Sequence, residues 1–183
     1  RHKFRLKNTT GYGLNALIDF SDPVDILAHL MIGAEGTLGF ISEISYFTVE
    51  EHAHKASALI LFDHLETACS AVSLLKHTPV AAVELLDRAS LRSVEYKAGI
   101  PAYFKDLPET AAALLVETRT MDPATLIAQV ETMTAALADI PTLFPFQFTD
   151  RPEEFTQLWA IRQGLFPSVG SARATGTTVI IED

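Results

Sequence analysis

The spacing of apolar and polar positions changes character near residue 50. Residues 1–50 are irregular and punctuated by glycine, and the pattern predicts one clear helix among them. Ser21 or Asp22 serves as N-cap, Pro23 enters the first turn, apolar positions continue to Met31, and Gly33 terminates the run. Past a glycine loop, Phe40–Val49 alternates enough to predict a strand. The polar string Glu50-Glu51-His52-Ala53-His54-Lys55 is the predicted joint, and it divides the chain into regions 1–50 and 51–183.

Beyond the joint the rhythm is regular. Ala56–Phe62 predicts a strand, and Asp63 with Glu66 predicts a capping box for a helix to Lys76. Val80–Leu86 predicts a strand, and Asp87 caps a short helix to about Tyr96. A loop with Gly99, Pro101 and Pro108 follows. Ala111–Thr118 predicts a strand, and Asp122-Pro123 opens a helix to Ala138. Thr142–Phe148 predicts a strand at a sheet edge, because Pro145 cannot donate to a ladder. Asp150 then caps a helix from Pro152 to about Phe166, and Thr177–Ile181 predicts a last strand. Alternating strands and helices suit a parallel α/β sheet. The same order suits a split, ferredoxin-like antiparallel sheet with helices on one face.

Composition narrows the classes. Fourteen Lys and Arg stand against twenty-three Asp and Glu, a net charge of −9. That balance argues against nucleic acid, whose affinity rests on a basic face. The basic cluster Arg1 to Lys7 reads as a flank and not as a localisation signal. No run approaches the ~18 apolar residues that span a bilayer. Cys69 is the single cysteine, so no intrachain disulfide forms; it is expected as a small core residue of its helix. A reducing, cytoplasmic setting is expected, free or peripheral to the inner membrane. Both ends read as cut, since the chain starts at Arg1 and stops directly after the strand-like run ending at Ile181.

The helix 152–166 carries the most informative residue. At 100° per residue Phe155, Leu158, Trp159, Leu165 and Phe166 share a face, and Arg162 falls near the middle of that stripe. A guanidinium there needs an anion. An ion pair with Glu84, Glu117 or Glu182 would satisfy it, and so would a substrate carboxylate gripped by two parallel hydrogen bonds. The string Gly33-Ala34-Glu35-Gly36-Thr37-Leu38-Gly39 sets glycines at every third position, which lets backbone approach a flat or phosphorylated ligand. It also fits an ordinary glycine loop, and it is not the GxGxxG of a dinucleotide fold. His52 and His54 would share one strand face but lack a third metal ligand nearby, so a solvated linker is the expectation and no metal site is assigned. Thr175, Thr177 and Thr178 offer hydroxyls of the kind common in strands.

Two strings carry a resemblance. KNTTGYGLNALIDFSDPVDILAHLMIGAEGTLGFISEI resembles the end of the FAD domain in the vanillyl-alcohol oxidase-type flavoproteins. WAIRQGLFPSVGSARATGTTVIIED is similar to the substrate-domain segment of that group, with its W-x-x-R helix. Together they bracket residues 7–183. The insert between Tyr12 and Gly33 and the GTTVIIED ending look closest to the bacterial flavin and iron–sulfur D-2-hydroxyglutarate dehydrogenases, with flavin-linked D-lactate dehydrogenase as near relative. The resemblance implies an α+β fold: an antiparallel sheet with helices, preceded by the tail of an FAD domain over residues 1–50.

By the same resemblance Gly33, Glu35, Gly36, Thr37 and Gly39 lie against FAD, with Ala34 in place of a serine. Asn8, Thr10, Gly11 and Tyr12 form a turn near the flavin, and Arg162 holds the substrate carboxylate. Gly13 stands where the family often has aspartate, which puts that aspartate's role in doubt. The implied chemistry is hydride transfer from a D-2-hydroxy acid (D-2-hydroxyglutarate or D-lactate) to FAD in the full-length protein. Its partners would be that small acid and an electron acceptor (quinone, cytochrome or flavoprotein), with a homo-oligomer allowed. The pyrophosphate loop is expected upstream of Arg1. The base, a divalent metal and an iron–sulfur cluster belong, if present, to regions outside this chain. No catalytic residue is assigned here, and the chain alone is expected to be inactive and without bound FAD. The reading from another class is a non-catalytic α+β anion-binding or interaction module.

Overall fold

A computed structural model describes residues 11–97 and 100–172. The backbone divides into two compact units at residues 49/50, each described by itself. Asn8, Thr10, the basic cluster 1–7, Gly99, Thr175–Ile181 and Glu182 lie outside the described residues, as does the side chain of Phe166.

In the first unit, α1 (Ala16–Asp19) is a single turn the sequence pattern does not predict, and α2 (Pro23–Leu30) is the expected helix. Asp22 caps α2 by accepting from the Val24 and Asp25 amides at 2.8 and 3.3 Å, ahead of Pro23. This joins a side-chain cap to a residue whose missing N–H costs nothing there. The strand predicted over Phe40–Val49 does not form. Its alternation is present, but no described segment of the unit supplies a ladder, and Phe40 and Phe47 stand 92% and 105% exposed. A strand is defined by its partner, and local pattern cannot provide one.

The second unit is built on β1 (His54–Phe62), β2 (Ala82–Leu86) and β3 (Ala112–Thr120), ordered β1-β3-β2. Both pairings are antiparallel, with Leu59 opposite Leu115 and Glu84 opposite Leu115. This is the split arrangement and not a parallel sheet, so the class is α+β. Helices α3 (Leu65–Leu75) and α5 (Pro123–Ala136) cover one face, burying Ile60, Phe62, Leu75, Leu114, Val116 and Met133. Each such side chain contributes roughly 1.5–3 kcal/mol.

The expectation of helices on one face holds for α3 and α5. The opposite face is also covered, by α4 (Arg88–Val94), a 3₁₀ turn (Ala102–Asp106) and α6 (Pro152–Ala172). Sheathing on both sides explains why β3 reads as an unbroken apolar run from Ala112 to Val116. α4 is fastened by a buried ion pair, in which Arg88 Nη1 and Nη2 both donate to Glu95 Oε2 at 3.1 Å.

Three local expectations change. The predicted capping box before α3 is absent: His64 is the N-cap without a side-chain bond, and the Asp63 carboxylate faces the His64 ring at 3.2 Å. Cys69 is exposed, because the buried stripe of α3 is Ala68, Ala71 and Leu75, and Cys69 lies a third of a turn away. The predicted edge strand 142–148 is only touched at its ends. The Leu143 amide donates to Leu61 O, and Thr149 exchanges two bonds with Ser57. Continuing the Ser57–Thr149 register would set Pro145 against Leu61, where a residue without N–H cannot sustain the ladder.

Asp122 caps α5 by accepting from the Thr125 amide and hydroxyl, both at 2.7 Å. The Thr125 hydroxyl first, and its amide second, hold the Asp122 carboxyl below its ordinary value of 3.8. A depressed carboxyl stabilises the fold above its unfolded value and loses that contribution as pH falls through the folded one. Asp122→Ala is therefore expected to lower the thermal midpoint at neutral pH. Circular-dichroism melts should show the gap to the parent protein closing only below pH 3.8.

Candidate functional site

Helix α6 presents three residues to the second sheet face: Leu158, Ile161 and Leu165, spaced by three and four, pack against Leu61, Leu86 and Ala113. Arg162 follows Ile161 by 100° and so leaves the buried stripe. The predicted position near its middle is corrected to its flank. The guanidinium side chain is 37% exposed.

Trp159 fixes the rotation of the helix. Its Nε1 donates to Ser57 Oγ at 3.2 Å, and the Ser57 hydroxyl donates on to Glu117 Oε2 at 3.3 Å. An indole N–H can only donate, so the hydroxyl proton must point to the carboxylate. The chain therefore has one direction, from α6 through β1 to β3. Ser57 is fully buried, the lone polar residue of the stretch Ala56–Phe62, and a buried hydroxyl without partners would be costly. Sequence reasoning missed Ser57, although a lone polar residue within Ala56–Phe62 was the available signal. Glu117 is its cross-strand partner in the β1–β3 register.

Arg162 meets the next rung. Ser57, Glu117 and Ala82 lie across the three strands, and two residues along, Leu59, Leu115 and Glu84 form the adjacent row. The Arg162 Nε lies 3.5 Å from Glu84 Oε2, with Glu84 36% exposed. Of the anions expected from sequence, Glu84 is the one the structure sets beside it. Among the described residues Glu84 is the ion-pair partner of Arg162, and at 3.5 Å the contact is one of charge and not a hydrogen bond. A half-exposed pair of this kind is worth about 0–1 kcal/mol.

Leu59, Tyr103, Phe146, Phe148, Gln157 and Leu158 help line a cleft of about 490 Å³. Burial pushes the Tyr103 hydroxyl above its ordinary value of 10.0. His52 and His54 line a second cleft, of about 630 Å³, with Asp150 and Phe155. Among the described residues no group of three or more His, Cys, Asp or Glu is placed to hold a metal. No described helix is long and apolar enough to cross a membrane.

In the first unit the Gly11–Tyr12 turn and the Gly33–Gly39 loop, both within the first of the strings that carry the resemblance, meet. Tyr12 and Thr37 share a hydroxyl–hydroxyl bond of 2.9 Å, and the Thr37 hydroxyl and amide engage Ala34 O at 2.6 and 2.9 Å. Gly11, Gly33 and Gly36 have φ of +80°, +76° and +76°, and Glu35 has +50°. A β-carbon on Gly33 would lie 3.3 Å from Gly11 O, and one on Gly39 2.9 Å from Met31 Cε. Those glycines serve packing between the turn and the loop. At Gly11 and Gly36 an added β-carbon would meet nothing within 4 Å, so their bare backbone faces open space. Gly13 sits in a tight place: a β-carbon there would stand 3.1 Å from His29 O, so a larger residue would need that backbone to give by a few tenths of an ångström.

Comparison with known proteins gives two findings. Residues 51–183 match the family described as FAD linked oxidases, C-terminal domain. The chain is 27% identical over 143 residues, 75% of its length, to the D-lactate dehydrogenase (cytochrome), mitochondrial, of Arabidopsis thaliana. The match spans 23% of that relative, so the chain corresponds to about a quarter of its length.

Ser57→Ala removes the middle of the Trp159–Ser57–Glu117 chain and is expected to cost about 1 kcal/mol. Trp159 is the single tryptophan. The expected result is therefore a changed emission maximum together with a lowered denaturant midpoint. Unchanged emission would show that the indole does not depend on Ser57.

Proposed function

Because the chain belongs to the family of FAD-linked oxidase C-terminal domains, we propose that the full-length protein is an FAD-dependent oxidoreductase whose domain here grips the carboxylate of a D-2-hydroxy acid. D-2-hydroxyglutarate and D-lactate are the substrates proposed, the latter in keeping with the name of the Arabidopsis relative. One observation carries the reading. Arg162 stands on a helix whose rotation is fixed by Trp159, 37% exposed, with no hydrogen bond to the carboxylate of Glu84 beside it. A planar fork held this way suits a two-point carboxylate grip, which a lysine's point charge cannot reproduce.

FAD, when bound, supplies the acceptor for the hydride that leaves the carbinol carbon. The first unit offers backbone that fits such a ligand: the open faces of Gly11 and Gly36, in a loop braced by Tyr12 and Thr37. Gly33 and Gly39 support this surface by packing, and the exposed Glu35 lies between the glycines. In the second unit, Arg162 neutralises and orients the carboxylate. No described residue is assigned as the base that takes the hydroxyl proton.

The test uses the full-length flavoprotein. Arg162→Lys is expected to raise KM for the 2-hydroxy acid, lowering kcat/KM about tenfold or more. Flavin content and melting temperature should stay near the parent values, because the half-exposed pair with Glu84 adds little to stability. A parental KM with a clearly lowered melting temperature would assign Arg162 to structure alone and overturn the proposal.

A further inference from the structure

The contact between Arg162 and Glu84 is made on one edge of the guanidinium. Glu84 Oε2 faces Nε at 3.5 Å, the shortest contact between the two side chains, and Glu84 is the carboxylate paired with Arg162 among the described residues. An arginine has three donor-bearing nitrogens in a plane, so a carboxylate on the Nε edge leaves the Nη1–Nη2 end free for a second one. We infer that Glu84 is the positioning residue of the carboxylate grip: it tethers Arg162 by its Nε edge and turns the Nη1–Nη2 end toward the ligand. This rests on the reading of Arg162 given above.

The sheet supports the assignment. Glu84 sits on the edge strand β2, opposite Leu115, which is opposite Leu59. Its row therefore holds two apolar neighbours and no other charge. Arg162 is the ion-pair partner the structure gives it. Without this tether the long side chain would lose its preset direction and would have to be ordered by each ligand that arrives. A carboxylate that merely competed with the ligand would be expected on the terminal nitrogens, where a bidentate grip forms. The Nε contact favours support over competition.

Steady-state kinetics on the full-length flavoprotein separate these roles, with D-2-hydroxyglutarate and D-lactate as substrates and a dye as acceptor. Glu84→Ala is expected to raise KM for the processed acid about tenfold with kcat within about twofold, at unchanged flavin content. Glu84→Asp keeps the negative charge that faces Nε and should recover part of the lost affinity. In an Arg162→Lys background, Glu84→Ala should add less than about twofold, since the two residues act through one another. If the alanine variant proves unstable, Glu84→Ser keeps the edge strand polar and gives the same reading. A parental KM in the folded Glu84→Ala or Glu84→Ser variant overturns the inference, and so does a lowered KM, the mark of a competitor. If Arg162→Lys alone leaves KM unchanged, the substrate reading itself falls. If it raises KM and the Glu84 variants do not, only the role of Glu84 falls.

Discussion

Trp159 has one polar atom, and Ser57 is the buried hydroxyl that meets it. Since the indole can only donate, Ser57 must pass its own proton to Glu117, and helix, first strand and middle strand become linked in a fixed direction. Apolar packing of Leu158, Ile161 and Leu165 attaches α6 to the sheet but tolerates rotation about the helix axis. The polar chain does not. One turn further on, that rotation sends Arg162 out beside Glu84 and away from the core. The candidate site is thus a consequence of one hydrogen-bonded chain acting on a well-packed helix.

The same sheet explains the economy of the second unit. Its first face is a conventional apolar layer under α3 and α5, and its second face carries α4 and α6 together with the polar row. The Arg162–Glu84 row and the layer of Phe62, Leu114 and Met133 lie on opposite faces of one sheet, and both faces carry buried apolar clusters. The family match covers this unit, residues 51–183, whereas the glycine loop belongs to the first unit. There the closeness of Gly11 to Gly33 and of Tyr12 to Thr37 brings a turn and a loop of one string into one surface.

Much of this was legible in the sequence where the signal is local. Asp22-Pro23, Asp87 and Asp122-Pro123 start helices as their chemistry requires, and each aspartate accepts the amides that a cap should satisfy. The strands 54–62, 82–86 and 112–120 follow from their apolar runs, but their antiparallel register depends on partners far along the chain. The same dependence undid two predicted strands: 40–49 finds no described partner, and 142–148 is interrupted where Pro145 meets the ladder. For the site, Arg162 and its candidate partner Glu84 were visible, while Ser57 was not. A serine in a strand looks ordinary until an indole from a residue 102 positions away is set above it. The burial of Arg162 was misplaced by one helical step, because Ile161 rather than Arg162 lies on the stripe.

A structure of the full-length flavoprotein with a bound 2-hydroxy acid tests the central claim most directly. The account predicts the substrate carboxylate about 2.7–2.9 Å from Nη1 and Nη2 of Arg162, with Glu84 still on the Nε edge and Trp159 still donating to Ser57. A carboxylate bound elsewhere, with Arg162 facing Glu84 alone, would contradict it.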